Sequence, residues 1–301
     1  MEFHLVCWDP QRIDLYLSRV YPYSRNFFHN LLERGGITVN GKQVKKSYQV
    51  KSGDNITIDN MQRFLDGGIL EEAVTVPLDI RHDHTDYLVL YKPKGMLSHP
   101  NSIREVKQPS VVGALYHHYK ALGGLPSSAS FLRAGLLHRL DKDTDGLMII
   151  AKTERGLTYF KELFQQKSLA ETIEAKEAIP LRKYYRARSK LTPEGASRLQ
   201  TVTSFPFYID ELVQPKIPHV TEHKRWITKI LSYEMQADET VHLQLEILTG
   251  RTHQIRSHLS SKGLPIIGDF LYGNDHWQEM QLTAWKLAFV DTEGKQVEII
   301  L

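Results

Sequence analysis

The chain has 301 residues, 41% of them hydrophobic and 24% charged, with a formal charge of +3 at neutral pH. That composition fits a folded chain long enough for a large core plus a small appendage, and no apolar run approaches the roughly 18 residues of a membrane span. Cys7 is the single cysteine, which excludes an intrachain disulfide, a Cys-type structural zinc site and the paired-Cys zinc of base deaminases. The start, MEFHLVCWDPQR, lacks the basic flank and apolar stretch of a signal peptide, so a cytoplasmic protein is expected.

The first sixty residues read as two helices followed by strands. DLYLSRVYPY carries Leu15, Leu17 and Val20, while SRNFFHNLLERGG opens with a cap at Ser24 and is stopped by Gly35 and Gly36. ITVNGKQVKKSYQVKSGDNITI then alternates apolar and polar residues around Asn40-Gly41, a dipeptide that favours the tight turn of a hairpin. Gly36 to Lys42 matches most of a phosphate loop, but Gln43 replaces the Ser or Thr of that pattern and ITVN is strand-like. From Arg25 to Lys51, Arg25, Arg34, Lys42, Lys45, Lys46 and Lys51 stand against Glu33 alone, a balance that suits a phosphate backbone.

Residues 61–76, MQRFLDGGILEEAVTV, break the pattern with Gly67-Gly68 and an acidic pair, and read as a linker. Beyond them the strand-like runs YLVLYK, LMIIAK, KYYRARSK and HLQLEIL alternate with the amphipathic stretches ERGLTYFKELFQQ and HQIRSHLSSKG. This mixture predicts an α+β fold with a mostly antiparallel, mixed sheet rather than a doubly wound one. SLAETIEAKEAIPLR, residues 168–182, is helix-compatible and reads as an insertion. The expected organisation is a small αα-plus-strands domain at 1–60, a linker at 61–76 and a larger domain at 77–301.

In HRLDKDTDGLMIIAK, residues 138–152, Asp141, Asp143 and Asp145 alternate before Gly146 and mimic positions one, three, five and six of a calcium loop. Position twelve falls on Lys152, a cation where the cage needs a bidentate carboxylate, and LMIIA is a strand, so calcium is set aside. A metal enzyme gathering His82, His84, His138, His253 and His258 is a second reading, although no pair has the H-E-x-x-H spacing. The plain alternative is a turn entering a buried strand, with Asp143 and Asp145 in solvent.

Taken together, HRLDKDTDGLMIIAK, KYYRA and TGRTHQIRSHLSSKGLPIIGDFLYG resemble the three signature segments of the RluA-type pseudouridine synthases, which isomerise uridine to pseudouridine in ribosomal and transfer RNA. DYLVLYKPKGMLSHP, residues 86–100, is similar to the first strand of that catalytic domain, so the likeness spans about residues 75 to 301. The stretch from RIDLYLSRV to VKSGD is similar to the S-four-like RNA-binding module that often precedes it. The resemblance implies a monomer that needs no cofactor and no metal, does not engage membranes, and acts on RNA, with large-subunit ribosomal RNA the commonest target and transfer RNA the alternative.

The resemblance also places the family's catalytic aspartate at Asp141, its active-site tyrosine at Tyr185, and the arginine that offsets the aspartate's charge at Arg256, whose fork is expected to hold Asp141 bidentately. Lys183, Arg139 and Arg251 are supporting substrate-binding candidates, Arg139 filling the gap left by a flipped base and Arg251 bracing its loop. Arg25, Lys42, Lys45 and Lys46 are the RNA contacts of the small module. Tyr184 is expected to be a buried strand aromatic. Asp145 stands where the family usually has Ser, and is expected to add a negative charge beside an RNA-facing loop. Asp141 serves as a nucleophile at the sugar or as a base for elimination, and both routes stay open. An RNA-binding or assembly factor that has kept the scaffold without the activity is the reading from a different class.

Overall fold

The computed structural model describes residues 2–4, 10–23, 25–59, 61, 70–100, 103–122, 134–212, 215–216 and 225–301. These fall into two compact units, one drawn from residues 1–77 and 99–122, the other from 78–98 and 134–301. Among the described residues no helix is long and apolar enough to cross a membrane.

The first unit opens with β1 (Glu2–His4) and β2 (Gln11–Arg12), followed by helices Ile13–Val20 and Arg25–Glu33, and then β3 (Ile37–Val39), β4 (Lys42–Gln43), β5 (Gln49–Val50) and β6 (Asn55–Ile58). Ile13, Leu17, Phe27, Phe28 and Leu31 bury one side of the helix pair. The second helix ends as its glycines predict: Gly36 N–H reaches Leu31 O, Gly35 N–H reaches Leu32 O, and Gly35 takes a φ of 72° that a side chain would resist. The proposed cap at Ser24 lies outside the described residues. Asn40 and Gly41 both have positive φ, 52° and 72°, which matches the turn twist to the β3–β4 hairpin.

Asp14, wholly buried, ties this unit together. It accepts hydrogen bonds from Arg12, from Arg25 (Nε 3.0 Å, Nη2 2.7 Å) and contacts His29 Nε2 at 2.7 Å. Burial pushes the Asp14 carboxyl up, but these donors outweigh it and hold the group well below its ordinary value. Arg25, expected among the RNA contacts, therefore spends two of its nitrogens inside the fold. Within the segment read as a linker, Leu70 and Ala73 are buried, and His117 on helix Val111–Ala121 lies 2.8 Å from Ala73 O; residues 62–69 lie outside the described ones. Gly113 on that helix meets Ala73 so closely that an added Cβ would sit 2.8 Å from its side chain.

The second unit carries β7 (Asp79–Asp83), β8 (Tyr87–Lys92), β9 (Asp145–Ala151), β10 (Leu181–Lys190), β11 (Phe207–Asp210), β12 (Ile227–Met235), β13 (Thr240–Ile247), β14 (Leu282–Val290) and β15 (Gln296–Ile300). They form one nine-stranded sheet in the order β11-β12-β13-β10-β14-β9-β8-β7, with β15 also on β14. The pairings are antiparallel except β9 with β14, which meet in parallel only at Asp145–Thr283 and Gly146–Ala284 before β15 takes over that edge of β14. Gly146 permits the crossing, since a Cβ there would lie 2.3 Å from Ala284 O. The α+β, mostly antiparallel expectation thus holds, with one parallel contact that falls at the head of β9.

Helix Glu154–Leu169 covers one face. Phe160 and Leu163 pack with Tyr87, Val89, Leu147, Ile149, Leu181, Leu287 and Phe289 from four strands. β9 is buried along its whole length, which is why LMIIA reads as an unbroken apolar run. Residues 168–182, read as an insertion, are the end of this helix, a short helix Ile173–Ala178 capped by Thr172, and the start of β10. The chain uses them to pass from the covering helix back into the sheet.

Because Asp14 is ionised far more readily in the fold than in the unfolded chain, its contribution is present above its ordinary value of 3.8 and fades as pH falls below it. Asp14→Asn is expected to cost about 2 kcal/mol at pH 7, a hydrogen-bonded charge being lost. Denaturant titrations at pH 7 and pH 3 measure this, and the gap between the two proteins should narrow at pH 3.

Candidate active site

Three segments of the second unit meet around a cavity of about 280 Å³: the loop 138–144 that leads into β9, the middle of β10, and the turn 249–253 with the helix Gln254–Ser261 that follows it. Asp141, Lys183, Tyr185, Arg251, His253 and Arg256 all line it, as does Arg139. The sequence candidates of this unit are therefore brought to one place. Arg25, Lys42, Lys45 and Lys46 belong to the other unit, where the three lysines are exposed.

The loop bearing Asp141 is held by its backbone. Ser98 Oγ donates to Leu140 O at 2.6 Å and accepts from Leu140 N at 3.0 Å. Lys92, fully buried, donates to Pro93 O, Met96 O and Lys142 O at 2.9 to 3.0 Å. His138 Nε2 accepts from Ile149 N at 3.0 Å, so its ring is neutral with the proton on Nδ1; burial and the charge of Lys183 push its pKa down to about 3. Asp141 sits between these clamps, on a segment that cannot slide along the strand without breaking several of them.

Asp141 is partly exposed to the cavity and reaches Arg256 Nη1 through Oδ2 at 3.4 Å. The bidentate fork predicted for this pair goes elsewhere. Arg256 Nε and Nη2 bind the two oxygens of Asp269 at 2.7 and 2.8 Å, and only Nη1 is left to face Asp141. The reason is burial: Asp269 has no exposed surface and needs full compensation, which Arg256 and the N–H groups of Leu271 and Tyr272 supply. Burial alone would push Asp269 up and Arg256 down, but their mutual bonds outweigh it, so Asp269 lies below and Arg256 above its ordinary value.

The turn that presents Arg256 is fixed by Gln254. Its Oε1 accepts from Thr249 Oγ1 and Arg251 N, and its Nε2 donates to Ile227 O and Thr228 Oγ1. His253, at a φ of 57°, turns its ring so that Nε2 is 3.8 Å from Asp141 and Nδ1 is 3.3 Å from the Tyr272 hydroxyl. Burial lowers the His253 pKa despite the pull of Asp141, so it is neutral at pH 7. Arg251 has its Nε buried without a hydrogen-bond partner among the described residues. The other histidines read as metal ligands have partners of their own in the fold: His82 and His84 both stack on Tyr87, and His258 contacts Thr228 and Glu211 O.

On β10 the buried positions alternate, which puts Lys183 and Tyr185 on the cavity face and Tyr184 on the other. Tyr185 is buried, and its hydroxyl pKa is pushed up by burial and by the charge of Asp141, so it stays a phenol. Tyr184, expected to be buried, is half-exposed because its face of β10 turns outward, where Lys286 Nζ lies 5.2 Å from its ring. Lys183 is nine-tenths buried and its pKa is lowered to about 7 by burial and by Lys167.

Asp145 does not sit in solvent beside an RNA-facing loop. It opens β9, is 8% exposed, and accepts from Tyr91 Oη and Thr283 Oγ1, both at 2.8 Å. Two strands that flank β9 supply those hydroxyls, so the carboxylate is compensated inside the sheet. Its charge also favours the protonated form of Lys92, whose pKa burial lowers to about 8. Asp143 is half-exposed, in line with a turn residue. Sequence reasoning missed Asp269, Lys92 and Ser98 as parts of this site and considered His253 only as a metal ligand; all four lie inside the quoted segments that carry the resemblance.

Comparison with known proteins identifies the family. A family model described as RNA pseudouridylate synthase matches residues 86–261, and one described as the S4 domain matches residues 11–56. Ribosomal large subunit pseudouridine synthase D of Yersinia pestis is 32% identical over 271 residues, covering 87% of this chain and 73% of that protein. The protein of the same name from Salmonella typhimurium is 32% identical over 267 residues, with the same coverage. Among solved structures, human RNA Pseudouridylate Synthase Domain Containing 4 superposes with a TM-score of 0.51 at 18% identity, over 74% of this chain and 87% of that one. Human RNA Pseudouridylate Synthase Domain Containing 1 gives a TM-score of 0.50 at 20% identity, over 74% and 82%. The two structures share the fold.

Replacing Asp145 by Ser leaves the Tyr91 and Thr283 hydroxyls and Lys92 without their buried carboxylate. The expected result is a stability loss of about 2 kcal/mol in denaturant titration at pH 7, with turnover per folded molecule retained.

Proposed function

The chain belongs to the RNA pseudouridylate synthase family, and on that premise we propose that it isomerises a uridine of large-subunit ribosomal RNA with Asp141 as the catalytic carboxylate. The observation that carries the reading is the ion contact of Asp141 with Arg256 at the edge of a cavity that Tyr185 also lines. The ribosomal target is taken from the names of the relatives, which act on the large subunit.

The chemistry moves one bond and one proton and needs no co-reactant. The bond from the ribose anomeric carbon to N1 of uracil breaks, the base turns, and its carbon 5 joins the anomeric carbon. Asp141 assists either by attacking that carbon or by removing a ribose proton, and both require an ionised carboxylate aimed at the sugar. Arg256 Nη1, 3.4 Å from Asp141 Oδ2, sets an opposite charge beside it. Tyr185 stacks its ring on the base, and its hydroxyl relays the carbon 5 proton by taking it up as it passes its own on.

A uridine in structured RNA must leave its stack, at a cost of a few kcal/mol. Stacking on an aromatic returns about 1 to 3 kcal/mol per base. Arg139, exposed at the rim, fills the vacated place in the helix, and Lys42, Lys45 and Lys46 add phosphate contacts from the small module. In this reading residues 1–60 supply affinity, 61–76 connect, and 77–301 carry the reaction, with the protein acting as a monomer in the cytoplasm.

The test uses a large-subunit ribosomal RNA transcript labelled with tritium at carbon 5 of uridine. The full-length protein is expected to release tritium, and Asp141→Asn to reduce release at least 1000-fold, on the order of the loss when a catalytic group is removed. Binding of the transcript without release would favour the assembly-factor reading instead.

A further inference from the structure

Lysines buried in the second unit are normally matched to acceptors. Lys92 has three carbonyls; Lys167 donates to Leu181 O and lies 3.8 Å from Glu246 Oε1; Lys176 donates to Lys167 O at 2.8 Å. Lys183 breaks the rule. It is nine-tenths buried, yet among the described residues no carbonyl or carboxylate is hydrogen-bonded to its Nζ, whose neighbour is the Phe164 ring at 5.2 Å. A buried lysine that turns an ammonium without a protein acceptor toward a cavity points to a partner that arrives with the substrate.

Its surroundings specify the charge of that partner. Lys183 shares a strand face with Tyr185 and lines the cavity that holds Asp141. Gly250 stands beside Nζ, and a methyl group there would sit 3.5 Å away, so the approach is uncrowded. The titratable and charged groups on the elements around it are Lys167 on the covering helix, His138, Arg139 and Asp141 on the loop before β9, Arg251 and His253 on the turn, Arg256 on the helix that follows, and Tyr185 on its own strand. His138, His253 and Tyr185 are neutral, Asp141 faces Arg256 through one oxygen at 3.4 Å, and Glu246 is shared by Lys167 and Arg182. Among the described residues no carboxylate pairs with Lys183, so its surroundings are completed by an anion that comes with the substrate.

The reaction proposed above generates one. When the bond from the anomeric carbon to N1 breaks, its electron pair leaves with uracil, and the detached base is a monoanion with charge spread over N1 and its two carbonyl oxygens. We propose that Lys183 is a catalytic residue that holds the detached uracil as an anion, donating from Nζ to a ring carbonyl oxygen while the base turns. This rests on the reading of the site as a pseudouridine synthase and holds for both routes open to Asp141, since each expels the base with the electron pair. As carbon 5 bonds to the anomeric carbon, the ring supplies that pair, the carbon 5 proton departs, and N1 ends protonated. Burial and the charge of Lys167 lower the Lys183 pKa to about 7, and an anion beside Nζ acts in the opposite direction and favours the ammonium.

The experiment follows single-turnover tritium release from the labelled large-subunit ribosomal RNA transcript by wild type, Lys183→Met and Lys183→Arg, with RNA affinity and thermal midpoint measured alongside. Lys183→Met is expected to lose about 100-fold in rate, the scale of one removed donor to a developing anion, with RNA affinity within about threefold and a melting point no lower than wild type. Lys183→Arg, whose charge does not titrate, should recover part of the rate and lose any decline of rate above about pH 7 that wild type has. Wild-type turnover per folded molecule in Lys183→Met overturns the role of Lys183 alone, whether or not that variant is destabilised. Absence of tritium release by wild type on the same transcript overturns the parent reading and this one with it.

Discussion

Arg256 has three nitrogens to give and two carboxylates to satisfy. Asp269, fully buried, takes two of them, and the third is left facing Asp141 across 3.4 Å. This unequal division determines much of the site. A guanidinium locked into a bidentate pair has little freedom to swing, so the remaining N–H is aimed before substrate arrives, and Asp141 stays only loosely engaged. The full fork would tie up both oxygens of a carboxylate; the observed arrangement sets one N–H against Asp141 Oδ2 and leaves Oδ1 without a contact to Arg256.

The rest of the catalytic unit is organised around keeping that geometry. Lys92 and Ser98 clamp the loop carrying Asp141 through backbone atoms, so its position does not depend on side-chain packing in the cavity. Gln254 does the same for the turn that carries Arg256. The parallel contact of β9 with β14 begins at Asp145, whose two hydroxyl partners come from strands on either side. Buried charge is costly in isolation, and here Lys92, Asp145, Arg256 and Asp269 are each matched to named partners, whereas Lys183 and the Nε of Arg251 are not, among the described residues.

Much of this was legible in the chain. The glycines that end the second helix, the Asn40-Gly41 turn and the apolar run of β9 follow from local conformational preference, and local preference is what sequence records. The convergence of Asp141, Tyr185 and Arg256 was available only through resemblance, because they stand on a loop, a strand and a helix with no shared periodicity. The pairing of the Arg256 fork with Asp269 and the burial of Asp145 were not read from the sequence. Both depend on which side chains from distant segments end up within 3 Å, and the alternating D-x-D-x-D pattern looks the same whether its last member points into water or starts a buried strand. The GDFLYG stretch carried the signal for Asp269, an acidic residue within an otherwise apolar run close behind the arginine helix.

The most direct measurement of this account is the single-turnover rate of Asp269→Asn on RNA labelled at carbon 5, taken with its RNA affinity. Asn keeps the shape of Asp269 but removes the charge that locks Arg256, so the guanidinium is expected to turn its fork onto Asp141. The account predicts a rate at least 10-fold below wild type with RNA affinity unchanged, a loss confined to the chemical step. A wild-type rate from a folded Asp269→Asn protein would contradict it.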